Sequence, residues 1–450
     1  MLNMIKKNRI MIAIHLTSII GMLLITARTV ILPAILKELD GMEYYSIIVI
    51  LTSLTMSVVL PIAGKLSDMY GRKIIYFIGI VGYIVACFLC GFADSVYLFM
   101  IGIALTGVFY GCMNSVQLAI ITDVFSEEER PAQVGYLTIS NSVACLLGPI
   151  IGGFFVDNVG WRWVYLLMIP LGMIIFFIIA KLDNKGAIKV NQSTTIDFIG
   201  IIFFILCVVP VLLALAAAGK IYEWNSKPIL YMLLFSIFML IVFLYAESRA
   251  SNPMIPFKLF HNKSYCVCVI TYFICAISFS GMNYLPIFYQ EVKGVTATVS
   301  GLWVLPRQMA QIVFSYYIGI NLVKKKGYRK KLVVFLGLFA LSLLSMSRFV
   351  ITTSVFMILI SEVMFGAANG VQTVITQSYG QKCLDDSIAG SGMSFICFVG
   401  AFGNSLGAAI GGCIMNQTAG ISSAIKYIFL LYAILMMVGT VIAGVIKWER

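Results

Sequence analysis

Long apolar runs fill this chain from end to end, and no window of even about 40 residues is free of one. A helix that crosses a bilayer takes about 20 apolar residues. Fourteen such helices of about 22 residues would occupy roughly 310 of the 450 positions and leave about 140 for connectors and ends. Charged residues make up only 11% of the chain and hydrophobic ones 61%, whereas soluble domains need about 25% charged residues to hold their surface in water. The chain is therefore predicted to be an all-α integral membrane protein with no large extramembrane domain.

Charged, Gly, Pro and Asn breaks divide the runs into spans near residues 10–33, 45–64, 74–93, 96–121, 134–155 and 162–180. A polar connector with Asp183, Lys185 and Lys189 precedes two further spans near 198–218 and 228–246, and a second connector carries Glu247, Arg249, Lys258, His261 and Lys263. Six more spans lie near 265–289, 298–320, 331–350, 353–377, 387–412 and 424–446. The expected domains are a six-helix bundle over 1–182, two inserted helices over 183–263 and a second six-helix bundle over 264–450.

The net charge of +12 does not point to nucleic acid, because the Lys and Arg residues sit in short connectors rather than on a soluble face. With the N-terminus placed inside, cytoplasmic loops and ends hold 22 Lys and Arg against 7 in the external loops. That bias favours an even number of spans with both termini in the cytoplasm of a cell-membrane protein. Its largest contribution is the run Lys324, Lys325, Lys326, Arg329, Lys330 and Lys331. Eleven Cys without CxxC pairs show neither a disulfide framework nor zinc-ligand spacing, so no metal or cofactor is expected. The first apolar run is too long for a signal peptide. The absence of a GxxxxGK[ST] loop argues against ATP as the energy source.

Two segments recur in the same order. VFYGCMNSVQ from Val108 aligns with VMFGAANGVQ from Val363, so that Gly111, Asn114, Val116 and Gln117 match Gly366, Asn369, Val371 and Gln372. LGPIIGG from Leu147 likewise aligns with LGAAIGG from Leu406. Such internal repeats, with a site near the midplane of the membrane, are the architecture of secondary transporters.

Between the second and third spans runs GKLSDMYGRK. Two glycines allow helices to meet at a tight turn, and Asp68 can cap a helix end or pair with a basic residue. Gly64, Asp68, Gly71, Arg72 and Lys73 resemble the signature loop of the major facilitator superfamily, where the loop serves as a cytoplasmic gate. In the second half, GINLVKKKGYRKK from Gly319 keeps the glycine and basic residues but lacks the acid. LLGPIIGG, with Gly148, Pro149, Gly152 and Gly153, resembles that superfamily's antiporter motif. The glycines at i and i+4 give a flat face for helix contact, and the proline permits a bend. WRWVYLLMIPLG from Trp161 and NPMIPFKLF from Asn252 resemble segments of the fourteen-helix drug:proton antiporter branch. The resemblance implies a major facilitator fold with a 6 + 2 + 6 plan, pseudo-two-fold halves, and a cavity lined by the first and fourth helices of each half.

Two positions depart from that branch. Its fourth-span motif carries an Arg four residues before the glycine, where this chain has Gly107. It also commonly carries an Asp in the first span, where this chain has Leu24. The usual assignment of proton coupling therefore does not transfer.

Ionisable groups inside spans cost about 2.5–3.5 kcal/mol on insertion scales, which draws attention to Arg28, Arg307 and Glu362. Glu362 occupies the repeat position equivalent to Gly107, and in straight helices it would lie within about one turn of the depth of Arg28. Arg28 and Glu362 are the expected proton-coupling pair across the cavity. A low dielectric favours a protonated carboxyl and a nearby guanidinium favours the ionised form, so making and breaking that contact would bind and release a proton. A static ion pair that sets helix register is the competing reading. Arg307 can contact an anionic group or snorkel. Asn114, Gln117, Asn369 and Gln372 form two i, i+3 polar pairs that face the substrate path or join helices by hydrogen bonds; Asn141, Asn283 and Asn404 carry the same ambiguity. Tyr110, Tyr284 and Phe365 are candidate apolar walls, and His15 is expected to be structural.

These residues point to a monomeric, proton-driven exporter of amphiphilic drugs or antibiotics that acts by alternating access and performs no enzymatic reaction. Two intramembrane Arg against one Glu favour a zwitterionic or anionic cargo. Export of an endogenous lipid-like or peptide substrate, or a non-transporting membrane sensor, are the alternatives.

Overall fold

The computed structural model describes residues 2–125, 130–181, 198–218, 222–249, 257–324, 328–384 and 386–445. The connector acids and lysines at 183–189, residues 252–256 of the NPMIPFKLF segment, and Lys325 and Lys326 lie outside the described residues. The described secondary structure is helical throughout apart from an isolated bridge between Ala218 and Tyr222. In a solvent that offers no hydrogen bonds, a helix satisfies its backbone internally.

The first six spans are α1 (Leu2–Glu38), α2 (Tyr45–Tyr70), α3 (Arg72–Gly91), α4 (Val96–Val124), α5 (Arg130–Asn158) and α6 (Arg162–Ala180). The two inserted spans are α7 (Phe198–Ala217) and α8 (Lys227–Arg249). The ninth span is broken: α9 (Lys263–Phe279) passes through a 3₁₀ turn, Ser280–Tyr284, into the short α10 (Leu285–Glu291), which has a proline in its first turn. The last five spans are α11 (Ala297–Lys324), α12 (Tyr328–Met346), α13 (Val355–Lys382), α14 (Asp386–Gln417) and α15 (Ile421–Val445).

Eleven of these spans are long and apolar enough to cross a bilayer by length and composition. The others differ for local reasons. The apolar stretch described in α7 is Ile202–Leu215, α11 carries Arg307, Gln308 and Gln311, and α12 opens on Arg329, Lys330 and Lys331. Large apolar side chains such as Ile241 (63% exposed) and Phe356 (73%) face outward, as a lipid surrounding requires.

The chain divides into two compact units, one of residues 1–201 with Thr296–Gly301 and the other of residues 202–295 with 302–450. In the first, α1 packs on α5 and α6, and α3 on α4 and α6. In the second, the corresponding spans repeat the pattern, α9 on α14 and α15, and α12 on α13 and α15. The inserted helices join the second unit: Ser236 Oγ on α8 donates to the Cys207 carbonyl of α7, and Phe204 meets Phe398 of α14 with ring centroids 5.2 Å apart.

Local chemistry sets the helix ends. Ser95 Oγ accepts from the Leu98 amide at 3.3 Å, and Asn262 Oδ1 accepts from the Tyr265 amide at 3.0 Å, which satisfies donors a helix start leaves open. Asn262 also donates from Nδ2 to the Cys383 carbonyl at 2.7 Å. The Trp161–Arg162 pair staples the entry of α6 to the end of α1. Trp161 Nε1 donates to Glu38 Oε2 at 2.8 Å, Arg162 ion-pairs with the same carboxylate, and its guanidinium lies 4.4 Å from the indole centroid.

The signature loop contracts to one residue between helices. Gly71 joins α2 to α3 at φ 98°, ψ 140°, a region in which a side chain is strained. Arg72 Nη1 donates to Ser67 Oγ, whose hydroxyl donates to the Gly64 carbonyl at 2.6 Å. Gly64 itself departs from the close-approach expectation: nothing lies within 4 Å of a Cβ placed there. The Asp68 side chain lies outside the described residues. Gly71→Ala is expected to cost about 1–2 kcal/mol, read as a lower unfolding temperature of the detergent-purified protein, whereas Gly64→Ala should leave it unchanged.

Candidate functional site

Glycines determine which helices touch, and the contacts repeat between the units. A Cβ at Gly148 of α5 would lie 2.8 Å from the Leu23 carbonyl oxygen and 3.0 Å from the Ala27 nitrogen of α1. One at Gly152 would meet Ala27 and Ile31 at 3.0 Å. The pair thus forms the flat α1-facing surface that its i, i+4 spacing anticipates. At the repeat offset, Gly407 of α14 meets Ile277 of α9 in the same way. Gly153 turns instead toward the backbone of Ala297 and Thr298, and Gly301 presses on the Pro149 carbonyl. Asp157 holds that segment as an N-cap, its Oδ2 accepting from the Thr298 amide at 2.8 Å and its Oδ1 from the Ala297 amide at 3.3 Å. Gly148→Ala should overpack the α1–α5 contact and lower stability by about 1–3 kcal/mol. Thermal unfolding in detergent would read that change.

In the second unit, Gly366 brings α13 against α11, because any Cβ there would strike the Arg307 carbonyl. A second glycine one turn on, Gly370, continues the approach at 2.5 Å from the Gln311 carbonyl oxygen. Glu362 lies one turn before Gly366 and is fully buried; Arg307 is 6% exposed. Arg307 Nη1 stands 3.6 Å from Glu362 Oε2. Tyr289 of α10, fully buried, donates its hydroxyl to Glu362 Oε1 at 2.8 Å, and its ring meets Trp303 edge-on at 5.2 Å.

Within the second unit, the guanidinium beside Glu362 is that of Arg307, and the Gly366 contact brings the Arg307 backbone to the level of the acid. Burial also removes the snorkelling alternative for Arg307. Tyr289 was not anticipated, and nothing in the sequence distinguishes it among 22 tyrosines. The pair is loose: Glu362 Oε2, Arg307 Nε and Arg307 Nη1 are buried with no hydrogen-bond partner among the described residues. Desolvated charges in such a setting are stabilised only when their geometry is nearly ideal. The arrangement therefore has room to tighten or to separate.

Arg28 lies in the first unit and donates to the Thr52 hydroxyl of α2. Gly107, where the related branch carries an Arg, packs on that same segment: a Cβ there would be 2.7 Å from the Thr52 carbonyl oxygen. A larger side chain has no space at that position.

The polar residues of the repeat take different roles. Gln117 Oε1 accepts from Ser18 Oγ at 3.0 Å, and its buried Nε2 finds no partner among the described residues. Its counterpart Gln372 bonds locally, Nε2 to Thr376 Oγ1 at 3.3 Å. Asn369 is buried and Asn114 half-buried. Asn141 is half-buried with Oδ1 unsatisfied among the described residues, and Asn283 donates to the Ser280 carbonyl at 3.0 Å within the break of the ninth span. Tyr284 is committed to the Ala408 carbonyl and Phe365 to the Phe279 and Phe339 rings, so both are core residues, whereas Tyr110 borders a cavity beside Arg28. His15 Nδ1 lies 2.9 Å from Ser140 Oγ, a structural contact between α1 and α5.

Comparison with known proteins agrees with this architecture. The family model of the Major Facilitator Superfamily matches residues 14–408. The multidrug transporter protein MdtP of Bacillus subtilis is 29% identical over 415 residues, 91% of this chain and 75% of MdtP. Multidrug resistance protein 3 of the same organism is 27% identical over 359 residues, 80% of this chain and 70% of that protein. Among solved structures, the nucleoside transporter NupG superposes with a TM-score of 0.66 at 13% identity over 99% of this chain and 100% of NupG. The human organic anion transporter MFSD10 gives 0.64 at 15% identity over 97% and 99%. The chain is a multi-pass membrane transporter, not an enzyme, and belongs to the major facilitator superfamily.

Proposed function

We propose that this chain is a proton-driven exporter of amphiphilic drugs or antibiotics, working by alternating access as a monomer in the cell membrane with both termini in the cytoplasm. The observation that carries the reading is the buried Glu362, held by the Tyr289 hydroxyl at 2.8 Å and by Arg307 at a loose 3.6 Å. Arginine keeps its charge at any working pH, so the titrating member of the pair is the carboxyl. When α11 withdraws Arg307, the carboxylate is left in an apolar setting and takes up a proton; when the guanidinium returns, it favours the ionised form and the proton leaves. Pro306, immediately before Arg307, permits α11 to bend at that level. The Bacillus subtilis relatives, one named a multidrug transporter protein and the other a multidrug resistance protein, support the substrate class.

The test is flux in proteoliposomes with an imposed pH gradient, following a fluorescent amphiphile together with internal pH. The proposal expects uphill movement of the amphiphile and dissipation of the gradient, each requiring the other. Amphiphile movement indifferent to the gradient would reject proton coupling. Movement of lipid alone would redirect the reading to an endogenous substrate.

A further inference from the structure

We infer that Arg28 is the receptor for an acidic group on the transported molecule, so that the preferred cargo is an amphiphile bearing one carboxylate or sulfonate on an apolar body. This rests on the transport reading above and adds the charge of the substrate to it. Arg28 is nine-tenths buried, and among the described residues its only hydrogen-bond partner is the neutral hydroxyl of Thr52. The described ion pairs involve other residues, Glu38 with Arg162 and Glu362 with Arg307. A desolvated guanidinium needs compensation, and one hydroxyl supplies little.

The guanidinium borders a small cavity among α1, α2, α3 and α4. Leu24, Ile25 and Ile103 give it apolar walls, and Tyr83 and Tyr110 stand with ring centroids 6.5 Å apart. Apolar and aromatic walls around one fixed cation are the chemistry that selects an amphiphilic anion: the walls take the body, and the planar fork takes two oxygens of the acid. The cavity is narrow here, with space at its centre for about one water, so this conformation holds at most the tip of such a group. Full engagement belongs to a conformation in which α1 and α4 part. Leu24, at the position where the related branch commonly carries an Asp, lines this same cavity, so no acid from that position faces the guanidinium.

The experiment measures equilibrium binding without any gradient, which separates it from proton coupling. Purified protein in liposomes is titrated with the fluorescent sulfonate 8-anilinonaphthalene-1-sulfonate and, separately, with the cation ethidium, subtracting protein-free liposomes. The inference expects saturable binding of the sulfonate, competition by a fatty carboxylate stronger than by its methyl ester, and at least about tenfold weaker sulfonate binding in Arg28→Gln. Arg28→Lys should recover much of the loss. The comparison of acid with ester on the wild-type protein needs no variant, so a poorly folding Arg28→Gln does not leave the question open. Equal competition by acid and ester, or saturable binding of ethidium alone, overturns the assignment. Sulfonate binding without gradient-driven flux would support this inference while removing proton coupling; proton-driven flux of ethidium with no sulfonate binding would do the reverse.

Discussion

Glu362→Gln is expected to abolish uphill transport while leaving a folded protein in the membrane. Gln matches Glu in size, and its carbonyl can still accept the Tyr289 hydroxyl that now reaches Oε1 at 2.8 Å. What it cannot do is bind and release a proton. With one proton exchanged per substrate, a gradient of two pH units supplies about 2.7 kcal/mol, enough for roughly 100-fold accumulation. The variant should accumulate nothing beyond equilibrium, although downhill exchange of substrate between the two sides continues. Accumulation by Glu362→Gln equal to that of the wild type would show that the coupling proton is carried elsewhere. Glu362→Asp keeps an acid but withdraws it from Tyr289, and should give accumulation between the two.

Removing Arg307 should lower stability most at pH values where the remaining carboxyl is still ionised. Arg307→Met leaves the Glu362 carboxylate with the Tyr289 hydroxyl alone, in a site from which solvent is excluded. An uncompensated buried charge of this kind typically costs about 3–5 kcal/mol, whereas neutralising both partners is often close to neutral. Arg307→Met should therefore lower the unfolding temperature markedly, and the added Glu362→Gln should restore most of the loss. Acidification should also rescue Arg307→Met, because protonating the stranded carboxyl removes its charge. A double variant no more stable than Arg307→Met would mean that the two residues do not depend on one another. The two sets of experiments ask different questions, since one reads gradient-driven accumulation and the other reads folding.

Much of the architecture could be read without coordinates. Span positions follow from runs of apolar residues, a one-dimensional property, and the ends of α1 to α6 fall close to the breaks marked by charges and glycines. The duplication was visible in Gly111 and Gly366 and in LGPIIGG and LGAAIGG. It reappears as α1 on α5 and α9 on α14, because the matched glycines Gly148 and Gly407 each receive the first helix of their half. The missing fourth-span Arg also has a spatial reason, since Gly107 lies against the Thr52 backbone. Gly64 shows the limit: its motif predicted close approach, yet no neighbour lies within 4 Å of a Cβ there.

The candidate site was only half legible. Glu362, Arg307 and Arg28 announced themselves because charge inside an apolar run is costly. Which of them meet was beyond the sequence, because similar depth along two helices leaves open which faces turn toward one another. That is decided by helix rotation and separation, and at this site by the approach that Gly366 allows to the backbone of Arg307. Tyr289 enters through a third element, the short helix after the break in the ninth span, which no local pattern connects to α13. The sequence by itself therefore determined a duplicated membrane transporter with three charges inside its spans, since solvent transfer and glycine spacing act residue by residue. Only the tertiary structure decided that Glu362 belongs to Arg307 and Tyr289, because side-chain pairing depends on how neighbouring helices pack.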